Sequence, residues 1–293
     1  MSTPVLAAIA FEQMGKGVVG VVTARESGIY ASVDAGQSWQ PLWEDGLAAA
    51  VVRLEWMNQP VCLVGLSGAI LRSETDGVTW DLCPLVQPAP LVLAFAVCSG
   101  SEPVVLAGTH EDGVFRSTDG GRRWESANVG LYLRRITALK AVDSEQVVVA
   151  AEFGVFRTQN GGESWTEVTW IVSEGTISAV AAGETLLVVG TTAGRVIAYD
   201  LDVRAMMVQV NLPDQGELLD LEILESDSEY EILAITENAI YHVGWSLGED
   251  VELRCLRVFP IQATCGGFQR LGGCLYAVAG HDDGSASVTS DLN

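Results

Sequence analysis

The sequence predicts an all-β chain: a seven-bladed β-propeller of four-stranded antiparallel blades, the last blade three-stranded, forming one domain over residues 1–293. Three observations predict it. A turn motif ending in tryptophan recurs four times, with its tryptophans 41, 44 and 41 residues apart. A Gly-led strand phrase recurs at nearly the same period along the whole chain, and another short apolar strand precedes each copy. Periods near forty residues with several strand-like segments per unit mark propeller blades.

The turn motif aligns without gaps as SVDAGQSW (32–39), SETDGVTW (73–80), STDGGRRW (117–124) and TQNGGESW (158–165). Ser32, Ser73, Ser117 and Thr158 open the four copies. The third residue, Asp34, Asp119 or Asn160, can accept hydrogen bonds from N–H groups of its own turn, and the fifth, Gly36, Gly77, Gly121 or Gly162, can take a positive φ. Together they lock a tight hairpin. Trp39, Trp80, Trp124 and Trp165 then begin the next strand and offer a large apolar body to pack between neighbouring units. The second copy departs from the pattern, because Thr75 occupies the Asp position and Asp76 follows it. That hairpin is expected to be looser.

The strand phrase starts at Gly28, Gly68, Gly113, Gly154, Gly194, Asn238 and Gly284, in steps of 40, 45, 41, 40, 44 and 46, which gives seven units. The last three carry no turn motif. The preceding apolar strands lie at 18–23, 61–65, 104–108, 147–151, 186–190, 231–235 and 274–279 and read as second strands of antiparallel blades. Blades are then expected at about 1–46, 47–90, 91–132, 133–172, 173–214, 215–260 and 261–293. Arg72, Arg116 and Arg157 each stand just before a turn motif and read as one structural ladder between blades.

With 48% hydrophobic and 18% charged residues the chain can bury a large core. Its formal charge of −22, from 38 acidic and 16 basic residues, argues against nucleic acid, where Lys and Arg must neutralise phosphates. It equally disfavours an anionic membrane surface. No run of 18 or more apolar residues suggests membrane insertion. The stretch 5–11 lacks the basic flank and small-residue cleavage site of a signal peptide and reads as the first strand, so a cytoplasmic location is expected. Cys62, Cys83, Cys98, Cys255, Cys265 and Cys274 contain no CxxC pair and read as reduced core thiols. Cys265 and Cys274 lie nine residues apart without a nearby His, so no metal and no cofactor is expected.

These repeats resemble the Asp-box or BNR-repeat superfamily of sialidases, sortilin-type propellers, two-propeller xyloglucanases and photosystem II assembly factors. The likeness covers nearly the whole chain but is specific only through residue 165. It implies a fold more firmly than an activity, since unrelated functions share the scaffold. It also implies that the box turns sit at the periphery, between third and fourth strands, and that Asp34, Asp119 and Asn160 are structural. A sialidase would need three arginines clamping a carboxylate, a Tyr–Glu nucleophile pair and an aspartate acid. Arg72, Arg116 and Arg157 are taken by the ladder, and Arg134-Arg135-Ile136, the nearest echo of an Arg-Ile-Pro motif, falls in the wrong repeat. Xyloglucanases need two propellers, and the assembly factors are exported proteins with an arginine-rich patch. The expected function is a non-catalytic protein-interaction scaffold or assembly factor; the alternative is a glycan-binding or glycoside-hydrolase-like, sialidase-type propeller.

In a propeller the loops after second and fourth strands converge on one face around the axial channel, where function usually lives. Here they carry Trp43, Glu44 and Asp45; His110, Glu111 and Asp112; Tyr132, Arg134 and Arg135; Trp170; and His281, Asp282 and Asp283. The two His-acid triplets read either as a cation or acid–base site or as turn residues before a Gly bend. Trp43, Tyr132 and Trp170 read as a stacking platform or as caps over blade junctions. Between 200 and 252, fourteen acidic residues face only Arg204. Glu217, Asp220, Glu222 and Glu225 alternate with apolar residues, which predicts a strand with one solvated acidic face, able to dock a basic protein partner.

Overall fold

The computed structural model describes residues 6–14, 17–24, 28–32, 38–43, 48–75, 77–85, 90–100, 103–170, 175–202, 205–224, 230–245, 254–271, 274–281 and 286–289. Among these residues every regular element is a β-strand, and the strands form seven antiparallel sheets.

The first sheet runs β1 (Leu6–Met14), β2 (Gly17–Ala24), β3 (Gly28–Ser32), β4 (Gln40–Trp43). The second runs β5 (Ala48–Trp56), β6 (Gln59–Leu66), β7 (Ala69–Ser73), β8 (Asp81–Pro84). The third is β9 (Val92–Cys98), β10 (Val104–Thr109), β11 (Val114–Ser117), β12 (Glu125–Ser126). The fourth is β13 (Ile136–Ala141), β14 (Val147–Ala151), β15 (Gly154–Thr158), β16 (Thr166–Trp170). The fifth is β17 (Ile177–Ala182), β18 (Leu186–Thr191), β19 (Arg195–Asp200), β20 (Ala205–Asn211). The sixth is β21 (Leu218–Leu224), β22 (Tyr230–Thr236), β23 (Ala239–Trp245), β24 (Arg254–Pro260). The seventh has three strands among the described residues, β25 (Cys265–Leu271), β26 (Cys274–Gly280) and β27 (Ala286–Thr289).

Within each sheet the strands pair in chain order. The first strands also touch from sheet to sheet: β1 lies against β5, β5 against β9, β9 against β13, β13 against β17, β17 against β21, β21 against β25, and β25 against β1. First strands are therefore innermost and fourth strands outermost.

Second strands show why sequence and packing agree. β10, β14 and β18 are buried along their whole length, because each lies in a sheet covered on both faces by its neighbours. Such strands read as continuous apolar runs, as in VVVAA of β14, rather than as alternation. The apolar clusters accordingly sit between sheets: Leu63, Ile70, Phe115 and Trp124 join the second and third, and Leu106, Ile136, Phe156 and Trp165 join the third and fourth. Ala179, Val188, Leu218 and Tyr241 join the fifth and sixth.

One joint recurs near the axis. In six sheets the pairing of first and second strands slips by one residue at the start of the first strand, as between Ile136 and Ala138 and between Leu218 and Asp220. The slip turns the leading residue back toward the preceding sheet. Val92, Ile136 and Leu218, all fully buried, press there on Gly65, Gly108 and Gly190, where a Cβ would meet them at 2.6 to 2.7 Å. The glycines near the ends of second strands are thus sockets for the next sheet.

Candidate interaction surface

The box turns lie between third and fourth strands. In the third sheet Ser117 Oγ accepts from Gly121 N at 2.8 Å, and Asp119 Oδ1 accepts from Arg122 N and Arg123 N at 2.9 and 2.8 Å. In the fourth sheet Thr158 Oγ1 accepts from Gly162 N and Asn160 Oδ1 from Ser164 N. Gly77, Gly121 and Gly162 have φ of 83°, 88° and 86°. In the second copy, where a looser hairpin was expected, Thr75 Oγ1 accepts from Thr79 N at 2.8 Å and Ser73 Oγ from Gly77 N at 2.9 Å. The Thr75 hydroxyl thus accepts one backbone N–H where the Asp119 carboxylate accepts two. In the first sheet Ser32 ends β3 and Trp39 is half-buried, while Asp34 and Gly36 lie outside the described residues, as does Asp76.

Each described box turn of the third and fourth sheets is clasped by the sheet before it. Leu63 would meet a Cβ on Gly121 at 2.7 Å, and Leu106 would meet one on Gly162 at 2.7 Å. Arg72, fully buried, donates Nε–H to Gly120 O at 2.7 Å, and Arg116 donates to Gly161 O at 2.9 Å. Arg72 also holds Glu74 at 2.7 Å; this hydrogen bond and nearby charge lower the Glu74 carboxyl despite opposing burial. Arg157 differs. Its terminal nitrogen bonds Gln146 Oε1, but its buried Nε–H has no acceptor among the described residues.

On the channel-face loops, His110 donates its backbone N–H to Leu91 O, and its ring lies 3.5 Å from Glu111. Asp112 N donates to Thr109 Oγ1, and Asn128 ties Asp112 O to Val114 N. His281 Nδ1 contacts Gln262 O, and Asp282 and Asp283 lie outside the described residues, as do Glu44 and Asp45. Trp43 and Trp170 end β4 and β16. Tyr132 is exposed; its ring meets Phe156 edge-on at 5.0 Å and its hydroxyl donates to Glu167 Oε2 at 2.7 Å. Lost solvation, then that bond and the adjacent charge, push the phenol up to about 12. Arg134, Val129 and Phe153 are exposed, and Arg135 pairs with Glu152 at 2.7 Å. No group of three or more His, Cys, Asp or Glu among the described residues is placed to hold a metal.

The acidic strand is the main correction. Asp220 and Glu222 lie on β21, an innermost strand, and not on an open solvated face. Asp220 is half-buried and accepts from Leu221 N and from Phe268 N of the next sheet, both at 2.9 Å. Burial raises its carboxyl, against the lowering effects of Lys140 and those two bonds. Glu222 Oε2 meets Lys140 Nζ at 3.0 Å, with the two side chains only 15% and 28% exposed. Glu217 is half-buried and Glu225 lies outside the described residues. Alternation misled because in stacked sheets both faces of a strand are covered, so a polar stripe on a first strand points toward the axis. Lys140 is one of two lysines in the chain, and its scarcity inside an apolar first strand was the available signal.

No protein-family profile matches the chain, and no curated protein matches it significantly. Among solved structures it resembles U3-55K, with TM-score 0.74 and 14% identity over 98% of this chain and 95% of that one. It also resembles the WD40 β-propeller domain of Doa1, with TM-score 0.70 and 11% identity over 100% and 95%. An ancestral GH74 enzyme gives TM-score 0.71 and 14% identity over 99% of this chain but only 45% of that one. At such identities the likeness speaks for the fold alone: an all-β, propeller-like stack of four-stranded sheets.

Proposed function

We propose that the chain is a non-catalytic protein-interaction scaffold, a closed seven-bladed β-propeller with Asp-box blades that works in the cytoplasm with a protein partner. The observation carrying this reading is the Lys140–Glu222 pair, which joins first strands of the fourth and sixth sheets past that of the fifth. The chain's own side chains thereby cross the inner side of the fifth sheet and narrow the axial opening. The rim remains. There Tyr132 and Phe153 expose apolar surface near Arg134, the mix of aromatic and arginine that anchors protein interfaces. The net charge of −22 steers a basic partner toward the molecule over longer range.

Capture from a lysate on the immobilised chain tests the reading. A Tyr132→Ala, Phe153→Ala double variant should lose the captured partner, and a Lys140→Met, Glu222→Leu variant should keep it. Loss in the channel variant with retention in the rim variant would overturn the proposal.

A further inference from the structure

Between the fourth and fifth sheets lies a cleft of about 290 Å³, lined by Arg157, Asn160, Ser164, Thr166, Val168 and Leu201 among others. Its position follows from the repeat. Arg72, Arg116 and Arg157 hold equivalent registers, opposite Leu63, Leu106 and Val148 of their second strands. The first two give their Nε–H to a glycine carbonyl in the next sheet's box turn. The fifth sheet has no box, since β19 ends on AYD without the S/T-x-D-x-G pattern. Arg157 accordingly keeps an unspent, buried Nε–H on the side where its counterparts hold a turn.

The missing acceptor has a definite chemistry. Arg157 already bonds Gln146 Oε1 and its charge is felt by the Asp143 carboxylate, so what it lacks is one acceptor for Nε–H; the Glu167 carboxylate, whose Oε1 is likewise buried without a partner among the described residues, lines the same cleft and calls for a donor. A glycine carbonyl fills that place at both boxed joints. Val168 and Leu201 give the cleft apolar walls, and Thr166 and Ser164 a polar lip.

We infer that this cleft is a docking site for a polypeptide turn of a partner, which presents a main-chain carbonyl to Arg157 and supplies in trans the contact that the box turns supply within the chain. The inference deepens the scaffold reading and rests on it.

The probe is a cyclised peptide of sequence TQNGGESW, the chain's own turn over 158–165, titrated into the 15N-labelled protein while the arginine Nε–H resonances are followed. The Arg157 resonance should shift and saturate. Arg157→Lys should weaken binding about tenfold, as expected for one directed hydrogen bond worth about 1.4 kcal/mol. Thr166→Trp, on the exposed outer strand, should block the cleft and abolish binding with Arg157 intact. An unmoved Arg157 resonance at millimolar peptide, undiminished binding by Thr166→Trp, or a response to inorganic phosphate but not to peptide would each overturn the inference. Failure here with rim-dependent capture intact removes the cleft alone; loss of the rim reading leaves this titration unaffected.

Discussion

The second to fourth sheets and the fifth and sixth sheets are joined to their neighbours in different ways at the outside and in the same way at the inside. Near the axis, Val92 on Gly65, Ile136 on Gly108 and Leu218 on Gly190 repeat one socket, with or without a box. At the periphery the boxed sheets add a leucine under a glycine turn and an arginine bonded to its carbonyl. The second-to-third hairpins of the fifth and sixth sheets are held as Thr109 holds that of the third, boxed or not. Thr191 Oγ1 accepts from Ala193 N and Arg195 N, and Thr236 Oγ1 accepts from Asn238 N and Ala239 N while donating to Asp214 at 2.6 Å. The inner joint thus belongs to the stacked architecture itself. The outer one is an addition that a sheet can lack.

The largest expected effect is at the outer joint. Trp124 is buried among Leu63, Trp56 and Phe115 and donates Nε1–H to Gly121 O at 3.0 Å. Trp124→Ala should cost about 3–5 kcal/mol in urea unfolding, the usual loss for a buried large aromatic. Trp80, half-buried with the equivalent bond to Gly77 O, should cost distinctly less. Equal losses would mean that the box tryptophans act through their own hairpins and not through the neighbouring sheet.

A smaller effect examines the inner joint on both sides of the boundary. In Gly108→Ala the new Cβ meets Ile136 Cγ2 at 2.6 Å, and in Gly190→Ala it meets Leu218 Cδ2 at 2.7 Å. Overpacking of this kind costs about 1–3 kcal/mol. The two variants should lose similar stability by the same unfolding measurement. A costly Gly108→Ala beside a neutral Gly190→Ala would show that the socket is not shared.

What the sequence could tell followed the same division. The box positions and the Gly-led phrase located third strands in every described sheet, because turn chemistry and a fixed period are local signals. The ladder was legible as equivalent arginines, but its break at Arg157 was not, since that depends on what the fifth sheet fails to present. The threonines at the ends of second strands passed unnoticed: a Thr there looks like any β-branched strand residue until its hydroxyl is seen to hold the turn. Lys140 with Glu222 was beyond reach for another reason. They lie 82 positions apart in sequence, on strands joined only through the ring of sheets.

The smallest expected effect concerns pH, and its sign differs between the two regions. Asp143 belongs to the fourth sheet: burial raises its carboxyl, but bonds from Glu145 N and Gln146 N at 2.8 Å, with Gln146 Nε2 and Arg157, lower it overall. A depressed carboxyl contributes stability that is present above the unfolded value, near 3.9 for Asp, and is lost as pH falls through the folded one. Asp220 belongs to the sixth sheet, and burial raises it. A raised carboxyl contributes stability below the unfolded value and loses it as pH rises through the folded one. The stability advantage of the wild type over Asp143→Asn should therefore shrink as pH drops below about 4, whereas its advantage over Asp220→Asn should grow on the way down from neutrality. Asparagine keeps one oxygen for the Phe268 N–H, so the second comparison reports mainly the charge. Urea melts of the three proteins across this range decide the matter: parallel slopes would mean that Asp220 is as well solvated as a surface carboxylate, and that the inner face of the sixth sheet is open to water.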